Sequence, residues 1–569
     1  MKFKNILYKG FIASLLLGTV ACDLDEYNPS GTTSDAAWNT PEGFVTAVNA
    51  AYQYRPMFYG SENGIFLGEA GTDLWFNRER ANYANQLTRY AGLAPTQGNP
   101  NIAEWPRLWV GINQANAGIN RIDDAGFTNP VERNQRLGEL RFLRAFYYYH
   151  IVETWGGVML RTTETQEPLL TAERSPVEAF YDLMIEDLLY ASEHLPVSYG
   201  AEYSRATKKS AMGLLAKVYL TRGYYGEGQT YFSLARDVAN EIISRKGELG
   251  IDLYDDVADL WDPANNKQNM EAMHTVSYSL NPAFNAGGAN RLHQFYMTNY
   301  TRFNGLVRSI EYGNEDTRRL MPTLALLDFY NEEIDARYDA SFKEVWIANQ
   351  DYTWTQAMAT THGKDASIVG TQVRAGIDTA LVITKKAIAD QALKPYIIYD
   401  RNRTYNQANG SLNQPDNFVQ LDKFRDPITR ENESMRVGFL DVFVMRFAEV
   451  YLLAAEAEVQ LGNPGAAAQH LNVLRTRAAK KTPIDYTLQM QITAADVNLD
   501  FVLDERAREL CGEMTRWYDL KRTGTLGDRI ARYNPDITEF REHHYLRPIP
   551  QTEMDALLNA SEFGQNPGY

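Results

Sequence analysis

The chain has 569 residues, 44% of them hydrophobic, a formal net charge of −16 and two cysteines. That length buries a sizeable core, and two cysteines supply no disulfide framework, so apolar packing must hold the fold. The acidic balance excludes nucleic acid as a partner, because a phosphate backbone needs a basic footprint; a local arginine cluster still leaves room for an anionic ligand.

Lys2, Lys4 and Lys9 precede an apolar run from Phe11 to Val20. The run is too short to span a bilayer, so residues 1–21 are expected to be a secretion signal. It ends in Thr19-Val20-Ala21-Cys22, which resembles a bacterial lipoprotein cleavage box, with Thr19 where that box usually has Leu. Cleavage makes Cys22 an acylated N-terminus, and several acyl chains hold a protein firmly to a membrane. It also removes three lysines and no acids, taking the charge from −16 to −19. Residues 22–40 are then a tether. Its Asp23-Leu24-Asp25-Glu26 is similar to an acidic surface-export tag, and it also suits a solvated linker.

Residues 41–250 read as helices. Thr40-Pro41-Glu42 offers a cap, a first-turn proline and a first-turn acid. Apolar residues recur at three and four through Trp105, Trp109, Ile112, Ala115 and Ile119, and again from Leu140 to Val152 before Gly156-Gly157. Ser175-Pro176-Val177-Glu178 has the pattern of a capping box. Thr207–Leu220 and Tyr231–Ile243 flank a Gly/Tyr turn. Residues 251–435 are rich in Gly, Asn, Asp and Thr, with strand-like alternation at Met273–Leu280 and Phe418–Leu421; long irregular stretches of this kind carry function. Residues 436–569 return to helix. Val442–Leu461 and Ala466–Ala479 flank Gly462-Asn463-Pro464-Gly465, with alanines where the two helices cross. Helix, short turn, helix is similar to the tetratricopeptide unit. The expected fold is mostly α: a tetratricopeptide-like helical-hairpin scaffold with a large irregular, strand-containing insertion.

Several motifs in order carry a family resemblance. Arg141-Phe142-Leu143-Arg144-Ala145-Phe146-Tyr147-Tyr148 runs into Trp155-Gly156-Gly157-Val158. Arg205-Ala206-Thr207-Lys208 precedes Leu214 to Leu220. Arg446-Phe447-Ala448-Glu449-Val450-Tyr451-Leu452 is followed by Asp504-Glu505-Arg506-Ala507-Arg508-Glu509-Leu510, Arg516 to Arg522, Leu546-Arg547-Pro548-Ile549-Pro550 and Gln565-Asn566-Pro567-Gly568-Tyr569. Over nearly its whole length the chain resembles the SusD/RagB family of outer-membrane nutrient-binding lipoproteins. The resemblance implies a non-enzymatic protein that binds a glycan (in some relatives a peptide) as the lid of a SusC-like TonB-dependent transporter; the residues themselves point to no cofactor and no metal site, and leave open a structural metal ion.

The chemistry agrees with binding. HExxH, GxSxG, P-loop and CxxC motifs are absent. Glu505, Arg506, Glu509, Glu513 and Arg516 have the spacing of ion-pair ladders along one helix. His543-His544 is the only histidine cluster, and its side chains are expected to point apart. Trp105, Trp109, Trp155 and Trp517 fall on helical patterns and read as core. Trp38, Trp75, Trp261, Trp346 and Trp354 fall in polar, irregular stretches. An aromatic plate packs on the C–H face of a sugar while Asn, Asp and Arg meet its hydroxyls. Trp75 with Asp73, Asn77 and Arg78 is therefore the expected ligand surface, and Tyr296, Trp346, Tyr352 and Trp354 are further candidates.

Overall fold

The computed structural model describes residues 38–78, 82–96, 99–281, 285 and 289–569. The secretion signal, Cys22 and most of the tether lie outside them. About 48% of the chain is helical, and the strands are few and short.

Local signals set most helix ends. The Thr40 side chain accepts from the Gly43 amide at the start of α1 (Pro41–Tyr52). The short α2 (Glu62–Gly68) and α3 (Asn82–Arg89) lead to α4 (Asn99–Arg121) and α5 (Pro130–Trp155). Gly156 ends α5 with a φ of +75°. The expected capping box does not form on α6 (Val177–His194). The Ser175 amide donates to the Val158 carbonyl at 2.8 Å, and Pro176 takes the cap position without a side-chain bond. Thr207 and Ser210 do form a box at the head of α7 (Lys208–Tyr224), which turns into α8 (Gly228–Ser244).

Each helix from α4 to α8 packs on the next. Then α8 packs on α9 (Phe447–Gln460), and α9 on α10 (Pro464–Ala478). Ala454, Ala455, Ala457 and Ala467 are fully buried, and such small residues let neighbouring helices approach closely. The array thus continues across residues 245–446, which leave it after α8 and rejoin it at α9. Val442–Arg446, expected as the first turns of a helix, is a strand. It pairs antiparallel with Ala272–Val276, setting Val442 opposite Val276 and Phe443 opposite Thr275. The strand expected at Phe418–Leu421 is only Gln420–Leu421, paired with Phe342–Lys343. Within the stretch, Val345–Ile347, Thr379–Thr384 and Ile397–Asp400 form a three-stranded sheet.

A buried ionic web ties the stretch to α10 and to α11 (Leu499–Leu510), which is followed by α12 (Arg516–Arg522) and α13 (Leu526–Tyr533). Arg446 reaches Glu509 at 2.7 Å, Glu513 at 2.8 Å and Glu271 at 3.3 Å. Arg477 reaches Glu271 at 2.6 Å and Glu509 at 2.5 Å. Arg337 reaches Asp335 and Glu505, both at 2.8 Å. The expected ladder along one helix is therefore mostly a set of bonds between elements, with Glu505–Arg508 at 2.6 Å an exception. The acids are buried, and a buried carboxylate must be matched by whatever cation packs beside it.

Candidate functional site

Most of the aromatics expected at a ligand surface are core. Trp75 is 1% exposed, its ring centroid lies 4.7 Å from that of Tyr296, and its Nε1 donates to Glu69 at 2.7 Å. Strand Trp75–Asn77 pairs with Leu320–Pro322 and is buried on both faces, so its polar sequence context does not place the ring outside. Asp73 is buried too, held by Arg516 at 2.6 Å and Arg529 at 2.8 Å. Burial pushes its carboxyl up, but the two guanidiniums outweigh this and leave it below the usual range. Burial pushes Glu69 up to about 7, although Trp75 Nε1 and the amides of Thr515, Arg516 and Gly512 all donate to it.

Asn77 is buried and donates to Asn85 at 3.2 Å. Tyr296 and Trp346 are buried as well, and Trp354 donates to the Pro395 carbonyl at 3.0 Å from a buried position. These rings plug loops onto the scaffold. Tyr352 is half-buried, its ring against Gly305, where a Cβ would come within 2.5 Å of it. Read as core, Trp105, Trp155 and Trp517 are buried, but Trp109 is only half-buried, with Arg161 over its ring. Trp261 is also half-buried, in a crevice whose volume of about 30 Å³ has room for a water and not for a sugar. His543 and His544 do not point apart; they share a short helical turn with ring centroids 4.0 Å apart.

Of the expected loop, Arg78 reaches the surface. Its amide donates to the Arg319 carbonyl at 2.8 Å, extending the strand pairing by one residue. Its guanidinium meets half-exposed Asp416 at 2.5 Å, and Arg302 approaches the other carboxylate oxygen at 3.6 Å. Arg302 also donates to Asn417 and lies over the Phe303 ring, while Thr298 donates to the Asp416 carbonyl at 3.3 Å. Arg78, Arg302 and Asp416 thus offer planar donors and acceptors at the surface, suited to hydroxyl groups, with buried Asn417 bracing Arg302 from beneath. The cluster is not built for proton transfer, since arginine keeps its proton. Local sequence gave no sign of Asp416 or Asn417 beyond the turn-forming Gln414-Pro415 before them.

Among the described residues, no group of three His, Cys, Asp or Glu side chains is placed to hold a metal ion. Cys511 is buried, and burial pushes its thiol up, away from the reactive thiolate.

The chain is similar to known proteins over almost its full length. SusD-like protein P2 of Formosa agariphila is 26% identical over 590 residues, covering 99% of both chains. A solved SusD homolog from Bacteroides thetaiotaomicron superposes with a TM-score of 0.69 at 20% identity, over 95% of this chain and all of that one. Surface glycan-binding protein A from the same organism, solved with laminarihexaose, superposes with a TM-score of 0.63 at 20% identity, over 93% of this chain and 99% of that one. Residues 42–220 match a family model described as starch-binding associating with outer membrane. Residues 260–569 match the model of the SusD family, and the chain belongs to that family.

Proposed function

We propose that the chain is a surface lipoprotein that binds an oligosaccharide and delivers it to a SusC-like TonB-dependent outer-membrane transporter as its lid subunit. Membership of the SusD family carries this reading. The match to a model described as starch-binding and outer-membrane-associated supports it, as does the fold shared with a protein solved with laminarihexaose. Family members bind carbohydrate and do not transform it. Acylated Cys22 is the attachment in this reading, several acyl chains being enough to hold a protein on a membrane. The Arg78–Asp416–Arg302 surface is the expected point of contact with sugar hydroxyls.

Calorimetric titration of the soluble protein, begun after Cys22, against neutral and acidic oligosaccharides and a peptide panel tests the ligand. Saturable heat with a glycan is expected. Heat with peptides alone replaces the glycan reading by capture of peptides. Affinity purification from native membranes tests the partner: a co-purifying large β-barrel supports the lid role, and recovery of free monomer in gentle detergent counts against it.

A further inference from the structure

Three segments distant in sequence enclose an open recess of about 290 Å³. They are the helix Leu324–Asp328 with the following Phe329, the turn Gln407–Gly410, and the end of α13 at Arg532 and Tyr533. None of these residues belongs to the Arg78 cluster.

The walls are partly aromatic and rigidly held. Half-buried Phe329 and Tyr533 meet edge to face, with centroids 5.4 Å apart at 82°. Fully buried Arg529 lies 5.0 Å from the Tyr533 centroid and 5.6 Å from that of Phe329. Arg529 is itself clamped by Asp73 at 2.8 Å and by Asp504. Arg532 sits at the rim, bonded twice to Asp500 at 3.0 Å. The turn is fixed as well: the Asn406 amide donates to Ser411 at 2.8 Å, and the Gly410 amide to Asn406 at 2.7 Å. Gly410 has a φ of +71° and backs onto Leu324.

The polar groups facing this space keep free bonding capacity. The exposed Asp328 carboxylate makes no hydrogen bond or ion pair among the described residues, although Lys385 and Arg401 lie close enough to attract it. Asn409 spends its oxygen on Ser411, at 3.0 Å to the amide and 2.8 Å to the hydroxyl, which leaves its NH₂ free. Gln407 spends its NH₂ on the carbonyls of Asn402 at 2.9 Å and Tyr405 at 3.3 Å, which leaves its oxygen free. An apolar ring wall, one bare carboxylate, one amide donor and one amide acceptor around 290 Å³ match the C–H face and hydroxyls of a pyranose. The carboxylate repels uronate and sulfate, because the cations around it are already paired, Arg532 with Asp500 and both Lys385 and Arg401 with Glu332.

We propose that this recess is a second carbohydrate-contact site, taking one or two neutral sugar residues of the bound glycan. It rests on the glycan reading above. Laminarihexaose, maltohexaose and a galacturonic acid oligomer, titrated calorimetrically into wild type, Asn409→Ala and Phe329→Ala, test it, with melting curves on each variant. A neutral hexasaccharide is expected to bind wild type, and each variant to weaken it by about fivefold or more. Asn409 is exposed, so its variant keeps the fold even if Phe329→Ala loosens α13. Wild-type binding with unchanged affinity in folded Asn409→Ala and Phe329→Ala overturns the recess and leaves the glycan reading intact. So does preference for the acidic oligomer through these residues. No heat with any of the three probes overturns the recess as a neutral-sugar site, and the wider panel above then decides the glycan reading.

Discussion

Trp75→Ala separates a core ring from a ligand plate. The indole is 1% exposed, packs on Tyr296 at 4.7 Å and donates to Glu69 at 2.7 Å. Deleting a buried Trp costs about 3–5 kcal/mol in lost burial and cavity formation. Removing one donor from a buried carboxylate adds roughly 1 kcal/mol or more. The expected loss is therefore about 4–6 kcal/mol. Denaturant unfolding followed by far-UV circular dichroism reads it as a lowered midpoint. Glycan affinity, counted per folded molecule, is expected to stay within about twofold, because no face of the ring meets solvent. A variant as stable as wild type that has lost glycan binding tenfold would falsify the reasoning: the ring would then face the ligand in the working protein.

Arg446→Met strips Glu509 and Glu513 of a buried partner and is expected to cost about 3–5 kcal/mol in the same unfolding assay; a change under 1 kcal/mol refutes the view that the web joins the loop-rich stretch to the array. Glu69 titrates at about 7 folded against 4.5 as its ordinary value, so the folded state holds its proton longer and stability falls as pH rises from about 4.5 through 7, by on the order of 3 kcal/mol. In Glu69→Gln that slope is expected to vanish, and an unchanged slope assigns it to other groups. Cys22→Ser is expected to leave the fold intact and move the protein from the membrane to the soluble fraction; retention as firm as wild type refutes the lipid anchor.

The helical hairpins were legible because their signals are local. Thr40-Pro41 and Gly156 mark their boundaries without reference to the rest of the chain. The family motifs are legible too, although the sequence hides their physical role: Glu509 and Glu513 are spaced as on a solvated face yet are buried against Arg446. Val442–Arg446 continues the helical pattern in sequence yet forms a strand, because its partner at Ala272–Val276 lies far away in the chain. Trp75 failed for the same reason. Its burial depends on Tyr296, Leu320–Pro322 and Glu69, and only the last of these is near it in the chain. The recess at Phe329 and Tyr533 left no local sign, being assembled from three separate segments.

The pairing of Ala272–Val276 with Val442–Arg446 brings the two ends of the loop-rich stretch side by side. Once ends meet in this way, each doubling of the chain between them costs only about 0.6 kcal/mol in closure entropy. Variation in the length of its exposed loops is nearly neutral for the helices on either side, provided that Glu271 and Arg446 still find their charges and that Arg337, Tyr296 and Leu320–Pro322 keep their partners. Exposed loops of this stretch can therefore lengthen or shorten while the helical array that carries them stays the same.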